Sequence, residues 1–452
     1  MSSRRPFHVA CLLLAALVLS LAPATAEDPE SSFFPYEYHQ ETLDNGLKVV
    51  LIPMQSGGLL SYWTLVRTGA RDEVEDGRTG FAHFFEHMMF RGTEKYPAEK
   101  FNEIITRIGA NSNAYTTDDY TAYHLDIASA DLETVMDLES DRFQNLSYSK
   151  AVFQTEAGAV YGEYRKNRAS PFFTIYEANR QASFERHTYG HTAMGYVEDI
   201  QGMPDLFDYS LTFFDRFYRP DNSILLLVGD LDVASTMAMV KTYYGAWKSG
   251  YQAPDVPVEP PQTEEKRLDV AYEGATLPIL WMSYKFEAFD PANKAMIAAD
   301  LLCKLAFGGT SDLYQSLVLE EQKVQSLSAT ANSNRGPSLI DVYAQVKEVE
   351  DIDAVIAAVD QTIASFIAEP PPAEDLENLK KRERYGFLMR LSSASAMAGN
   401  LAPILAVSPD LATIDTYYST LMQIQPADLQ AAAKAYFDTK QRTVTVLKGA
   451  AQ

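Results

Sequence analysis

The sequence predicts an α+β fold: two homologous domains, each a mostly antiparallel β-sheet flanked by α-helices. Three observations predict it. The chain has 452 residues, more than one hydrophobic core sustains, so it should divide. A stretch from Gly250 to Pro261, with Pro254, Pro257, Pro260 and Pro261 among polar residues, reads as a linker. The chain beyond that stretch looks like the first half again, with a faint internal repeat: Met89-Phe90-Arg91-Gly92-Thr93 stands against Ala306-Phe307-Gly308-Gly309-Thr310. The expected units are an N-terminal domain over 36–249, a linker over 250–266 and a C-terminal domain over 267–452.

Residues 1–26 read as a Sec-type signal peptide. Arg4 and Arg5 form its positive end, Ala10 to Leu21 is almost wholly apolar, and Ala24-Thr25-Ala26 offers a small-x-small cleavage site. The apolar run is too short to be a comfortable membrane span. The expectation is an exported bacterial protein, periplasmic or secreted. Cleavage would leave one cysteine, Cys303, and therefore no internal disulfide. Hydrophobic content of 46% and charged content of 22% describe an ordinary soluble globular chain. A formal net charge of −23 argues against nucleic acid or an anionic membrane as partner and would favour basic peptides as substrate.

In chain order, Tyr36 to Ile52 reads as two strands around Asp44-Asn45-Gly46, an Asn-Gly hairpin signal. Tyr62-Trp63-Thr64-Leu65-Val66 continues the sheet. Thr79 is placed to cap the next helix and Gly92 to end it. Pro97 suits a first helical turn, and Phe101, Ile104, Ile105 and Ile108 keep helical spacing. Asn113 to Tyr123, rich in Thr and Tyr, reads as one bent or two short strands. Leu132, Val135 and Met136 mark a helix, Ser149 to Arg168 another, and Ile224 to Val228 a buried strand. Beyond the linker come a strand pair near Leu268–Phe286, a helix, strands, helices broken at Pro370-Pro371-Pro372, and a final strand over Thr443–Leu447.

The chemistry is concentrated in the helix between Thr79 and Gly92. His83-Phe84-Phe85-Glu86-His87 is an H-x-x-E-H pattern, one of the zinc-peptidase motifs. Residues i and i+4 stack on one helix face, so His83 and His87 can close on one metal ion, with Glu86 over nearly the same face. A catalytic zinc takes three protein ligands and keeps a fourth position for water. The third ligand must come from elsewhere. Glu156 and Glu163 are seven apart and share one face of the Ser149–Arg168 helix, and Asp118, Asp119 and His124 stay open as candidates. His187 and His191 are also four apart, but Gly190 between them argues for a structural pair.

With Glu163 placed 76 residues beyond His87, the pattern resembles the pitrilysin (M16, inverzincin) family of zinc peptidases, in particular its half-length branch that includes mitochondrial processing peptidase. The resemblance covers nearly all of the mature chain. It extends to Asn113-Ala114 with Thr116 and Tyr123, His187-Thr188-Tyr189-Gly190, Tyr218-Arg219-Pro220-Asp221-Asn222 and Val228-Gly229-Asp230. It implies zinc, one per chain, on His83, His87 and Glu163. It implies Glu156 as a carboxylate that orients a ligating histidine, and Glu86 as the base that activates the water held by the metal. Asn113 and Ala114 would lie on an edge strand that pairs with extended substrate peptides.

The resemblance also has gaps. Active members bring an arginine and a tyrosine from the C-terminal half into the substrate site. Here Asp312 and Val318 occupy the arginine places and Ser326 falls near the tyrosine, while Tyr314 packs on its own helix. If the two halves align, Asp300 and Lys304 stand where His83 and His87 stand, so the second half holds no such metal. These departures predict a two-subunit peptidase: this chain would bear the zinc, and a homologous partner lacking H-x-x-E-H would complete the site. A homodimer is the other arrangement. The rival class is a non-catalytic scaffold or peptide-binding subunit of the same fold. A metal-dependent hydrolase of other substrates ranks last, for want of a phosphate loop or a basic cluster.

Overall fold

The computed structural model describes residues 32–450, so the signal-peptide reading of 1–26 lies outside the described residues. The first half contributes β1 (His39–Thr42), β2 (Lys48–Pro53), β3 (Leu59–Val66), β4 (Asn111–Thr116), β5 (Thr121–Ala128) and β6 (Ser223–Gly229). They form one sheet in the order β1-β2-β6-β3-β5-β4, antiparallel throughout except where β2 runs parallel to β6. The β1–β2 turn uses Gly46 at φ +90°, where a side chain would run into Asp221. The helices are α1 (Phe81–Met88), α2 (Ala98–Arg107), α3 (Leu132–Asn145), α4 (Lys150–Arg168), α5 (Pro171–Ser183), α6 (Val197–Gly202), α7 (Phe207–Phe217) and α8 (Val233–Tyr244).

The second half contributes β7 (Lys266–Tyr272), β8 (Ile279–Lys285), β9 (Val324–Ala331), β10 (Leu339–Val346) and β11 (Arg442–Gly449). Its sheet order is β7-β11-β8-β10-β9, with β7 and β11 parallel and every other pair antiparallel. This repeats the path of β2-β6-β3-β5-β4, so the two halves share one topology and the α+β reading with two homologous domains holds. Its helices are α9 (Lys294–Phe307), α10 (Asp312–Tyr314, continued as a π-helical turn to Glu320), α11 (Ile352–Ala368), α12 (Ala373–Met389), α13 (Ala394–Val407), α14 (Ala412–Met422) and α15 (Pro426–Tyr436). Among the described residues, no single helix is long and apolar enough to cross a membrane.

Two local expectations are corrected. The strands near Leu268–Phe286 do not pair with each other, because β11 lies between β7 and β8. The six residues joining them carry no tight-turn signal, and the buried C-terminal strand fills the gap they leave. Nor does Thr79 cap α1. The cap position is Gly80 at φ +90°, and the Thr79 hydroxyl bonds to Asp199 at 2.6 Å instead. The Gly80 and Ala82 amides are satisfied by the buried carboxylate of Glu73, at 2.8 and 2.6 Å.

The halves are interlocked. Helix α5 from the first half covers the second sheet, where Ile175 packs with Ile279, Trp281 and Leu447. Helix α13 from the second half packs on the first sheet, against β3 and β6. One core therefore runs through both, joining Trp63, Leu65 and Leu226 to Leu401 and Leu405. The segment from 248 to 265 has no regular structure, yet Glu259 anchors it by accepting from the amides of Glu185, Arg186 and His187 and from Lys285.

Candidate metal centre

Helix α1 has eight residues, well short of the roughly 12–15 that an isolated helix needs. Its buried face holds it in place. Phe81, Phe84, Phe85 and Met88 are all fully buried, each worth roughly 1.5–3 kcal/mol. Phe84 meets Phe153 of α4 edge to face at 5.0 Å, and Phe85 stacks on Phe213 of α7 at 5.1 Å. This packing fixes α1 against α4 with the opposite face of α1 turned towards Glu163.

On that face the Nε2 atoms of both histidines approach Glu163 Oε2, at 3.7 Å from His83 and 3.3 Å from His87. One ligand atom from each of the three lies within 4.8 Å of the others, and this is the only group of three or more such residues so placed among the described residues. The His83 Nδ1 is buried without a hydrogen-bond partner among the described residues, and the two histidines are the groups that face the Glu163 carboxylate. Three lone-pair donors thus converge, which suits a cation. The donor set of two imidazoles and a carboxylate suits zinc.

The surrounding groups prepare these atoms. His87 Nδ1 lies 3.0 Å from Glu156 Oε1, and the other Glu156 oxygen takes Arg91 at 2.5 Å. Burial pushes Glu156 upward, but the His87 hydrogen bond and the Arg91 charge outweigh it and leave the carboxyl below its ordinary range. The same hydrogen bond raises His87, whereas burial holds His83 down to about 4 and keeps it neutral. A neutral imidazole is the form that binds metal. Glu86 is half-buried and accepts from the Thr116 hydroxyl at 2.7 Å; burial raises its pKa, as suits a group that must carry a proton.

The other candidate ligands are elsewhere. Asp118 pairs with Arg180 at 3.0 Å, Asp119 accepts from Tyr189 at 2.6 Å, and His124 stacks on Trp63 at 4.3 Å. Each is held by a tertiary partner that spacing does not reveal. His187 and His191 are buried and structural: His187 Nδ1 accepts from the Tyr189 amide and His191 Nδ1 faces the Thr192 carbonyl. Asn113 and Ala114 sit on β4, whose outer edge pairs with no strand among the described residues. Beside that strand a cavity of about 290 Å³ opens between Thr116, Asp118, Phe173, Tyr176 and Met194. Sequence reasoning does not reach Arg91, Thr116 or Glu73 as site residues. Arg91 stands four residues beyond His87, in the short 3-10 turn that follows α1, and its role shows only in its contact with Glu156 on α4.

Family comparison agrees with this geometry. Residues 49–195 match the insulinase family of peptidases, M16, and residues 208–383 match the M16 inactive domain. The chain belongs to the M16 peptidase family. It is 28% identical over 427 residues to the zinc protease PqqE of Helicobacter pylori, a match covering 92% of this chain and 94% of that protein. A protease from Helicobacter pylori has a similar crystal structure, with a TM-score of 0.83 at 26% identity over 91% of this chain and all of that one. The first half of the periplasmic protease PqqL from Escherichia coli shares the fold, with a TM-score of 0.73 at 20% identity over 91% of each chain.

The C-terminal departures lie in known places. Val318 packs against the core from the π-helical turn, Asp312 is exposed at the start of α10, and Ser326 lies on β9 opposite Gln345. Asp300 and Lys304 face not a ligand set but each other, at 2.9 Å, and Lys304 also reaches Glu383 at 2.6 Å.

Proposed function

We infer that the chain is a zinc metalloendopeptidase acting on short or unfolded peptides. The observation that carries this reading is the convergence of His83 Nε2, His87 Nε2 and Glu163 Oε2, with Glu86 on the same helix. Zinc held by these three side chains supplies Lewis acidity, acidifying water and polarising a carbonyl oxygen. Glu86 takes the proton from the attacking water on its carboxylate and later delivers it to the leaving amine. Thr116 keeps that carboxylate aimed. Glu156, itself held by Arg91, orients the His87 ring. The free edge of β4 at Asn113 and Ala114 would take an extended peptide as an added strand, which folded proteins cannot offer.

The working unit in this reading has two subunits. Asp312, Val318 and Ser326 supply neither the guanidinium nor the phenol that active relatives bring from this region, so a homologous partner lacking H-x-x-E-H would provide them. Assaying the purified chain on unfolded peptides, alone and with such a partner, tests this: activity is expected only in the mixture, and full activity alone would refute the two-subunit form. Its likeness to a periplasmic protease and its N-terminal sequence support a periplasmic or exported location.

A second reading, a scaffold or peptide-binding subunit, draws on the inactive-domain match over residues 208–383. Glu86→Gln separates the two. An enzyme should keep its metal and lose hydrolysis by roughly 10²–10⁴-fold; a scaffold's function would not change.

A further inference from the structure

Among the described residues the second half gathers no metal-ligand group of its own, yet one of its hairpins bonds to the segment just before Glu73, the residue that holds the first amides of the metal helix. The β9–β10 tip inserts into the first half. There the Arg335 guanidinium, 13% exposed, donates to the Arg67 carbonyl at 2.8 Å, the Asp119 carbonyl at 3.2 Å and Asp72 Oδ2 at 3.3 Å. The Arg335 amide and the Asn334 side chain both donate to Asp119 Oδ2, at 3.1 and 2.9 Å. The other Asp119 oxygen takes the Tyr189 hydroxyl, which in turn accepts from the Gly336 amide at 3.1 Å. Asp72 and Asp119 are both about 1% exposed. Arg71 reaches the other Asp72 oxygen at 3.3 Å from the same segment, and Arg335 adds the second cation, supplied from across the molecule and bonded at both residues.

Two arms run from this node to the metal centre. Glu73 follows Asp72 directly, and its carboxylate receives the Gly80 and Ala82 amides of the first turn of α1. The Thr117–Asp119 turn is bonded to the same segment, Ala70 N to Thr117 O at 3.3 Å and Arg71 N to Asp118 O at 2.8 Å. Gly69 comes so close that a Cβ there would lie 2.4 Å from the Thr117 carbonyl. Thr116, which holds Glu86, immediately precedes that turn.

We propose that Arg335 is a positioning residue for the metal centre: through the Asp72–Asp119 node it sets α1 and β4 relative to each other, and so sets Glu86 against His83 and His87. The proposal rests on the zinc-peptidase reading, but two of its readouts need no peptide. In the full-length mature chain, Arg335→Met removes the donors while keeping the stem, and Arg335→Lys keeps the charge without the planar fork. The measurements are zinc affinity by chelator competition, amide exchange over 80–88 and 111–116 against α15 as reference, and kcat and KM on an unfolded peptide. Arg335→Met is expected to weaken zinc binding about ten-fold, in the range seen for residues that orient ligands. It should also speed exchange in both segments but not in α15, and lower kcat more than it raises KM, with partial recovery in Arg335→Lys. Unchanged zinc affinity and exchange in a folded variant would reduce Arg335 to a staple between the halves and overturn the proposal. Should Arg335→Met fail to fold, Arg335→Lys and Asn334→Ala read the same quantities, and wild-type values in both overturn it equally. A wild-type chain that binds zinc but cleaves nothing counts against the peptidase reading alone, since affinity and exchange still decide the role of Arg335.

Discussion

The α1–α4 pair of the first half and the α9–α12 pair of the second occupy the same place in one repeated topology, and they solve opposite electrostatic problems. In the first pair, His83, His87 and Glu163 gather lone pairs with no cation among them. In the second, Lys304 brings its own cation, set between Asp300 and Glu383, and Tyr417 completes the Asp300 carboxylate at 3.2 Å. Burial pushes the Lys304 ammonium down, but the two carboxylates more than reverse it. Where Glu86 stands in α1, α9 has Cys303, a buried thiol pushed far above its ordinary pKa by desolvation. The second pair is a closed ion cluster with no base. One scaffold can therefore either wait for an external cation or carry an internal one, and only the former leaves room for chemistry.

Several variants would break or sharpen this contrast. The largest effect should come from Glu86→Gln, which should leave zinc bound while lowering turnover by roughly 10²–10⁴-fold, as measured by metal content beside a peptide assay. Next is Glu156→Gln, which removes the carboxylate behind His87. It is expected to weaken zinc binding about 10–100-fold in chelator competition, whereas Leu376, at the matching position seven residues before Glu383, shows that the second half needs no such support. Lys304→Met should destabilise the fold by about 1–3 kcal/mol in urea titration, less than a fully buried pair because the side chain is 34% exposed. That loss should be the same with and without chelator. Zinc removal from the wild type should instead lower stability by an amount set by zinc concentration, about 2.7 kcal/mol at a hundred times the dissociation constant.

A separate expectation, away from both helix pairs, concerns pH. His187 and His191 are held neutral, both near 4, by burial, with the Arg71 charge adding to it at His187. The unfolded chain takes up protons near the ordinary histidine value of about 6.5, while the folded chain does not. Their contribution is therefore complete above that pH and is lost as pH falls from it towards 4, by about 1 kcal/mol per residue per pH unit. Thermal melts of the apo protein should flatten over this window in a His187→Gln, His191→Gln variant. A slope equal to wild type would place the protons elsewhere.

What is legible in the sequence depends on distance along the chain. His83, Glu86 and His87 lie within one helical turn or so, and helix geometry alone brings them together. The residues alone leave Glu156, Glu163, Asp118, Asp119 and His124 open as third ligand, and only family spacing selects Glu163. Thr116 and Arg91 act through tertiary contacts that no local pattern encodes, and Glu73 caps α1 from seven residues before Gly80, too far for a capping box. The same limit applies to the fold. Hairpins such as β1–β2 and β4–β5 are readable because their turns are local, whereas the insertion of β11 between β7 and β8 depends on a strand about 160 residues away. The interlocking of α5 and α13 across the halves is likewise beyond any local signal.

The central claim is that α1 and α4 form a metal site while α9 and α12 do not. Zinc content of the purified, zinc-equilibrated and desalted chain tests it most directly, measured for the wild type, His83→Ala and Asp300→Ala. One zinc per chain in the wild type and in Asp300→Ala, with none in His83→Ala, is the predicted result. A wild type without zinc, or a zinc lost with Asp300 and kept without His83, would contradict it.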